Sequence, residues 1–403
     1  MKIPHDQFCV LPWISLEASP IGTVRPCCLA DNEIMNNDGN KFELATAEFS
    51  AIQNSNHMRD LRTQFLAGHR PETCRKCWNE EDAGRISKRM HTLDRLKHTL
   101  KDDEWNSDAK PLMFLDLKLG NICNLKCRIC GSWSSSQFAA EEISFTPREE
   151  QKSSHAYKML RAGAWPKENN HFWQQIDHVL SDIQYIEFTG GEPFMIDQHF
   201  DMLQGIVDRG IAGQVEIHYN TNGTLFPDRG PDIWKHFKTV EIAFSVDDIG
   251  ARFEYQRSNA SWGTVKENIN RFRIMRDSMP NLQLQCCTTV NVFNVRYLDE
   301  VALWIALQDF DFVYWNMMHD AWYFSISRLP AAAKQHIADY LSTCNIPEQF
   351  QEEFGRIIDF MNRGKSSDGT ETLMQIQKLD QRRQQDLKNV ALDLAQILHY
   401  AKT

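Results

Sequence analysis

Residues 119–130 read LGNICNLKCRIC, and the rest of the chain is best read outward from them. Cys123, Cys127 and Cys130 stand in a Cys-x3-Cys-x2-Cys spacing. The run just before them, 112–119, is rich in apolar residues and reads as a strand. The thiols therefore fall in a loop at a strand's C-terminal end, where α/β folds build their sites. Three thiolates can hold three irons of a [4Fe-4S] cubane and leave the fourth iron open to a small molecule. Zinc is the plainer alternative. A structural zinc wants a fourth ligand close by, however, and no histidine follows the loop before His155.

Downstream, strands and helices alternate. Branched and aromatic residues predict strands at 112–119, 183–188, 215–219, 240–246, 282–290 and 312–316, with helices near 198–209, 232–237, 264–275 and 296–308 between them. That alternation implies a parallel sheet with right-handed crossovers, either open or curved into a partial barrel. The polar segment 131–182 is long for one crossover and is expected to carry helices and an insertion. Residues 1–80 form a cysteine-rich region of short elements, with one helix or two between Phe49 and Gly68. The charged stretch 81–111 reads as a helical linker between domains. After 330 the pattern is helical at 331–344, 348–362 and 373–400, the last charged at first and apolar later. These readings divide the chain into 1–80, 81–111, 112–325 and 326–403.

The 403 residues allow two or three domains, and 42% hydrophobic with 24% charged residues excludes general disorder. A net charge of −10 gives no general attraction to nucleic acid or to an anionic membrane. There is no apolar run of about 18 residues for a membrane span. The opening MKIPHDQFCVLPW lacks the apolar core and cleavage site of an export signal, so a cytoplasmic location is expected. Eleven cysteines, eight of them before residue 131, then read as metal or cluster ligands rather than a disulfide framework.

Cys123-Asn124-Leu125-Lys126-Cys127-Arg128-Ile129-Cys130 resembles the signature loop of the radical S-adenosylmethionine (SAM) superfamily. The resemblance covers about 112–320 and implies an α/β fold, a partial (β/α)6 TIM-like barrel. It also implies that the three cysteines hold a [4Fe-4S] cluster, with Ile129 near the adenine of SAM at a position that is often aromatic. Further family elements follow in order. Gly190-Gly191-Glu192-Pro193 resembles the motif whose backbone and carboxylate receive the methionyl ammonium. Asn222, in Thr221-Asn222-Gly223, and Ser245 and Asp247, in Ser245-Val246-Asp247, match stretches that contact the ribose and carboxylate side of the cofactor, and Val290-Asn291 closes the fifth strand. Arg257 matches an arginine placed near the cofactor carboxylate, a surface salt bridge being its other reading. Taken singly, Gly-Gly-Glu-Pro and Asn-Gly are ordinary turn signals, and Asp247 suits a helix cap.

Before the barrel, Cys9 is followed by Gly22 and Cys27 in a Cys-x12-Gly-x4-Cys pattern, and Cys74-Arg75-Lys76-Cys77 lies downstream. This resembles the auxiliary-cluster module of SPASM and twitch enzymes, with a hairpin at Gly22 bringing Cys9 and Cys27 together. Cys9, Cys27, Cys74 and Cys77 would fully ligate a second [4Fe-4S] cluster, or a structural zinc. The module usually follows the barrel, and the larger SPASM pattern carries further cysteines, so one auxiliary cluster is expected. Cys28, beside Cys27, leaves the ligand assignment open. Cys286, Cys287 and Cys344 read as packing residues.

The resemblance implies reductive cleavage of SAM to a 5′-deoxyadenosyl radical and hydrogen abstraction from a substrate, with no catalytic residue beyond the cluster and SAM ligands. An auxiliary cluster favours net oxidation. A ribosomally made peptide is the expected substrate, and a small metabolite (sugar, nucleotide or cofactor precursor) is the alternative. A zinc-stabilised, non-catalytic scaffold is the alternative from another class. The expected partners are a reducing protein such as flavodoxin or ferredoxin and the substrate, with no membrane and no general nucleic-acid binding. The aromatic segment 313–324 would line the open end of the barrel or pack the last helices.

Overall fold

Eight strands carry the fold in a computed structural model that describes residues 3–82, 86–96, 100, 104–168, 170–318 and 321–400. They are β1 (Ser15–Ala18), β2 (Val24–Arg25), β3 (Phe114–Lys118), β4 (Tyr185–Thr189), β5 (Glu216–Thr221), β6 (Thr239–Ser245), β7 (Leu282–Val290) and β8 (Phe312–Met317). The last six lie within two residues of the strands expected from sequence. Their order is β2-β1-β3-β4-β5-β6-β7-β8. Helices follow the strands from β3 onward, so β3 to β8 form the (β/α)6 repeat of an α/β, TIM-like fold. The order ends at β2 and β8, as in a partial rather than a closed barrel.

By its contacts the chain divides into two units. The first is Met1–Cys123, Ser132–Tyr219 and Asp228–Val240; the second is Asn124–Gly131, Asn220–Pro227 and Glu241–Thr403.

In the first unit, β1 runs parallel to β3 and antiparallel to β2. The hairpin expected at Gly22 is present. Gly22 sits at φ +83°, Ser19 accepts its N–H, and the Thr23 carbonyl accepts the Ser19 N–H. Side chains alternate across this sheet. Leu115, Leu117, Ile186, Phe188, Ile217 and Tyr219 are buried on one face, where Phe188 stacks on Tyr219 and both meet His199. The opposite face is polar: Glu17 pairs in register with Asp116, Asp116 with Glu187, and Glu187 with His218. The stretch 49–68 forms two helices, Phe49–Gln53 and Asn56–Leu66, because Ser55 breaks off the first and caps the second through the Met58 N–H. Within 81–111 a helix covers Lys88–Leu96, and residues 83–85, 97–99 and 101–103 lie outside the described residues.

In the second unit, β7 alternates strictly between buried and half-buried positions, and Thr289 pairs with Asn316 of β8. Trp315 packs on Phe350 and Phe354 of the C-terminal helices. Part of the aromatic segment 313–324 thus packs those helices; His319 and Asp320 lie outside the described residues. The single helix expected over 373–400 is instead two, Thr370–Arg383 and Leu392–Ile397. The first stops at Gln384, which is left-handed at φ 54°. Beyond the stop, the buried Asp380 carboxylate accepts the Leu387 N–H and the Tyr400 hydroxyl, which turns the chain back on itself.

Candidate metal centres

The loop after β3 is fixed by backbone contacts in each unit. In the first, the Cys123 N–H donates to Ser136 Oγ, which donates in turn to the Cys123 carbonyl; both bonds are 3.1 Å. Ser136 opens the helix Ser136–Ser144 capped by Ser135, so the helix start anchors the first cysteine. In the second, the Lys126 and Arg128 N–H groups donate to the Ser258 and Gln256 carbonyls. Cys127 is buried. A hydrogen bond with Cys130 lowers its thiol pKa against the opposing effect of burial, and the positive charges of Arg257 and Arg383 lower it further. Ile129 and Cys130 are half-buried.

Gly190 and Gly191 follow β4, both at positive φ. A Cβ on Gly191 would lie 2.3 Å from the Ile122 carbonyl oxygen, one residue before Cys123, and that same oxygen accepts the Glu192 N–H at 2.8 Å. The glycine thus lets two backbone segments touch. Glu192 is fully buried, and its Oε1 accepts the Phe194 N–H at 3.2 Å.

Asn222 closes β5 in an Asx turn, its Oδ1 accepting from the Thr224 N–H and hydroxyl. Its amide donates to Asn124 Oδ1 at 2.9 Å, and Asn124 donates to Thr224 Oγ1 at 2.8 Å. A ring of three side chains therefore ties the cysteine loop to the turn. Asn124 and Thr224 went unrecognised in the sequence; the only signal was Thr224 standing two residues after Asn222, the spacing of an Asx turn.

Ser245 is half-buried at the last position of β6. Asp247 and Arg257 meet as a buried pair, with Arg257 Nε and Nη2 reaching Asp247 Oδ2 at 2.9 and 2.8 Å, while the Thr289 N–H takes Oδ1. Asp247 and the two cysteines Cys127 and Cys130 hold Arg257 firmly protonated despite burial.

Within the first unit, Cys9, Cys27, Cys74 and Cys77 are drawn together from three separate segments. Burial raises the Cys9 thiol, and the neighbouring Cys74, Cys27 and Cys77 raise it further; Cys74 likewise feels Cys27 and Cys77. None of the eleven cysteines forms a disulfide. Thiols that destabilise one another's charge need a nearby cation to become thiolates together. Among the described residues, no group of three or more His, Cys, Asp or Glu residues is arranged to hold a metal ion.

Cys28 points elsewhere. Lys88 Nζ donates to Cys28 Sγ at 2.8 Å and also reaches Glu187 Oε2 at 3.2 Å and Asp116 Oδ2 at 3.3 Å. Lys118 and Arg25 join the same network through Glu17. Burial would raise Asp116, but Lys118 and Lys88 bring it down to about 2. Lys88→Met is therefore expected to destabilise the protein by about 3 kcal/mol, as removal of one partner from a buried ion pair does. The loss should be smaller at pH 5 than at pH 7, because Asp116 freed of Lys88 titrates higher and protonation relieves its charge. Thermal unfolding at the two pH values checks this, and an unchanged midpoint would show that the network does not hold the sheet together.

Residues 117–305 match the radical SAM superfamily, from β3 into the helix Leu298–Ala306. Residues 9–78 match SPASM, an iron-sulfur cluster-binding domain, and span Cys9 to Trp78. No curated protein matches the sequence. Among solved structures, native anSMEcpe with bound AdoMet is 17% identical, with a TM-score of 0.39 over 64% of this chain and 63% of that one. The same protein with bound Cp18Cys peptide is 15% identical, at 0.38 over 62% of each chain. Streptococcus suis SuiB is 11% identical, at 0.35 over 85% of this chain and 69% of that one. The chain thus spans less than two thirds of the anSMEcpe chains it matches. The two family matches bring a [4Fe-4S] cluster with SAM, and auxiliary iron–sulfur binding, as cofactors. The chain thus carries a radical SAM domain over residues 117–305 and, ahead of it, a SPASM-type iron–sulfur module over residues 9–78.

Proposed function

We propose that this protein is a radical SAM enzyme that oxidises a side chain of a ribosomally made peptide. The observation that carries the reading is the gathering of four buried or half-buried cysteines from three distant segments, in a chain that also holds the Cys-x3-Cys-x2-Cys loop. Cys123, Cys127 and Cys130 would hold the first cluster; Cys9, Cys27, Cys74 and Cys77 would hold the auxiliary one, with Cys28 left to Lys88. When bound, the first cluster and SAM supply a 5′-deoxyadenosyl radical that abstracts hydrogen from substrate.

The chain's own residues place and enclose that chemistry. Gly190 and Gly191, packed closely on neighbouring backbone, would present their own backbone to the cofactor's methionyl end, and the fully buried Glu192 carboxylate would accept a charge-assisted hydrogen bond from its ammonium. Asn222, with Asn124 and Thr224, fixes the turn after β5. Ser245, Asp247 and Arg257 would face the ribose and carboxylate, Arg257 also bringing positive charge near Cys127 and Cys130. Ile129 would pack at the adenine. The auxiliary cluster that the SPASM-type module would hold could take up the second electron of a net oxidation.

The corresponding division is an auxiliary module at 1–80, a linker at 81–111, the barrel at 112–325 and a helical region at 326–403. A flavodoxin or ferredoxin would supply electrons in the cytoplasm, a setting that suits eleven cysteines without a disulfide. Among the described residues no helix is long and apolar enough to cross a membrane.

Anaerobic reconstitution tests the reading. About eight irons and eight sulfides, with reductant-dependent formation of 5′-deoxyadenosine, is the expected result. One or two zinc ions without SAM cleavage would replace it with a scaffold. Co-expression with a short peptide encoded beside the gene should then yield a product lacking a pair of hydrogens; an unmodified peptide would shift the substrate to a small metabolite.

A further inference from the structure

Arg128, one of the two residues between the last two cysteines of the loop, is spent on a contact 252 positions away. Its side chain is fully buried. Nη2 donates to Asp380 Oδ1 at 2.5 Å and to Gln385 Oε1 at 2.7 Å, and Nε donates to the Tyr255 carbonyl at 2.9 Å. The guanidinium lies 3.6 Å over the Tyr255 ring. Asp380 is 1% exposed and accepts four hydrogen bonds. Arg128 and the Tyr255 hydroxyl take Oδ1; the Leu387 N–H and the Tyr400 hydroxyl take Oδ2. Arg128 in the loop and Asp380, far apart in sequence within the second unit, are thereby held together with their charges paired.

Such a pair is a poor source of stability, since desolvating two charges offsets most of their attraction. What it fixes well is geometry, because three acceptors, Asp380 Oδ1, Gln385 Oε1 and the Tyr255 carbonyl, set the plane of one rigid guanidinium. It also sets the field beside the loop: an arginine left unpaired there would favour added negative charge.

We propose that Asp380 and Arg128 are positioning residues of the radical-site cluster, holding the Cys127–Cys130 segment in place and balancing the charge next to it. The C-terminal helix Thr370–Arg383 is then a working part of that site. This rests on the assignment of Cys127 and Cys130 as cluster ligands.

The test uses reconstituted full-length protein and reads the first cluster by EPR during a reductive titration. Asp380→Asn leaves the Arg128 cation unbalanced and should move the cluster's midpoint upward. Arg128→Gln leaves the Asp380 anion unbalanced and should move it downward. The double variant should return close to wild type, and Asp380→Glu, which keeps the charge, should stay there. SAM cleavage should fall at least tenfold in Asp380→Asn, because a cluster that is easier to reduce is a weaker donor. If the single variants do not fold, Tyr400→Phe removes one donor from Asp380 and should give a smaller downward shift. Midpoints that stay put, or that move the same way in both single variants, overturn the proposal. Absence of the first cluster's signal from the wild-type protein would instead remove the ligand assignment beneath it.

Discussion

Cys127→Ala is expected to abolish SAM cleavage and to remove about half of the iron, whereas Cys74→Ala leaves the SAM-cleaving cluster in place. The contrast follows from where the two thiols stand. Cys127 is the buried middle member of the loop, and its thiol pKa is lowered by Cys130 and by two arginines. Cys74 lies among Cys9, Cys27 and Cys77 and is held strongly protonated by burial and by its fellow thiols. With alanine at 127 the loop keeps two thiols where the proposed cubane would need three. A methyl in place of Cys74 breaks a four-thiolate set without touching the loop. Iron and sulfide counts, EPR of the reduced protein and 5′-deoxyadenosine formation read the two clusters separately. Equal losses in both variants would mean that the seven cysteines do not divide as three and four. Cys28→Ala is the internal control: its sulfur meets Lys88, so the iron content should hold.

Much of this was legible in the sequence because the strands of the repeat are marked by branched and aromatic runs, and because the cofactor motifs fall where those runs end. The 282–290 strand has its expected bounds to the residue. What escaped has local physical reasons. Ser15–Ala18 has no β-branched residue, and only its pairing with Phe114–Leu117 makes it a strand. The break at Gln384 depends on a carboxylate at 380 reaching forward to Leu387 and Tyr400, a contact with no periodicity to betray it. The network around Lys88 draws single charged residues from β1 to β4 and from the helix after the module. Each reads alone as a solvated charge, and only register brings Glu17, Asp116 and Glu187 side by side. Asn222 and Arg257 show the converse. Their motifs pointed to the cofactor, and the structure finds both already bonded to protein, Asn222 to Asn124 and Arg257 to Asp247.

Gly191→Ala is expected to lower SAM cleavage strongly while leaving every cysteine in place. The added Cβ would stand 2.3 Å from the Ile122 oxygen and 2.9 Å from its carbonyl carbon and nitrogen. Those are backbone atoms, so no rotamer relieves the contact, and φ of +53° is itself costly for a residue with a side chain, by roughly 1–2 kcal/mol. The chain must give by moving Ile122 away from Glu192, which stretches the 2.8 Å bond between them and shifts Cys123, the next residue along. A displacement of about 1 Å between a reacting group and its partner can lower a rate by roughly 100-fold. SAM cleavage should therefore fall by about that factor even where iron still loads. Gly213→Ala is the matched comparison, because nothing lies within 4 Å of its Cβ and its φ is not positive. It should behave as wild type. If Gly191→Ala cleaves SAM as fast as Gly213→Ala, the contact between the two loops is packing alone, and Glu192 is not held in place by it.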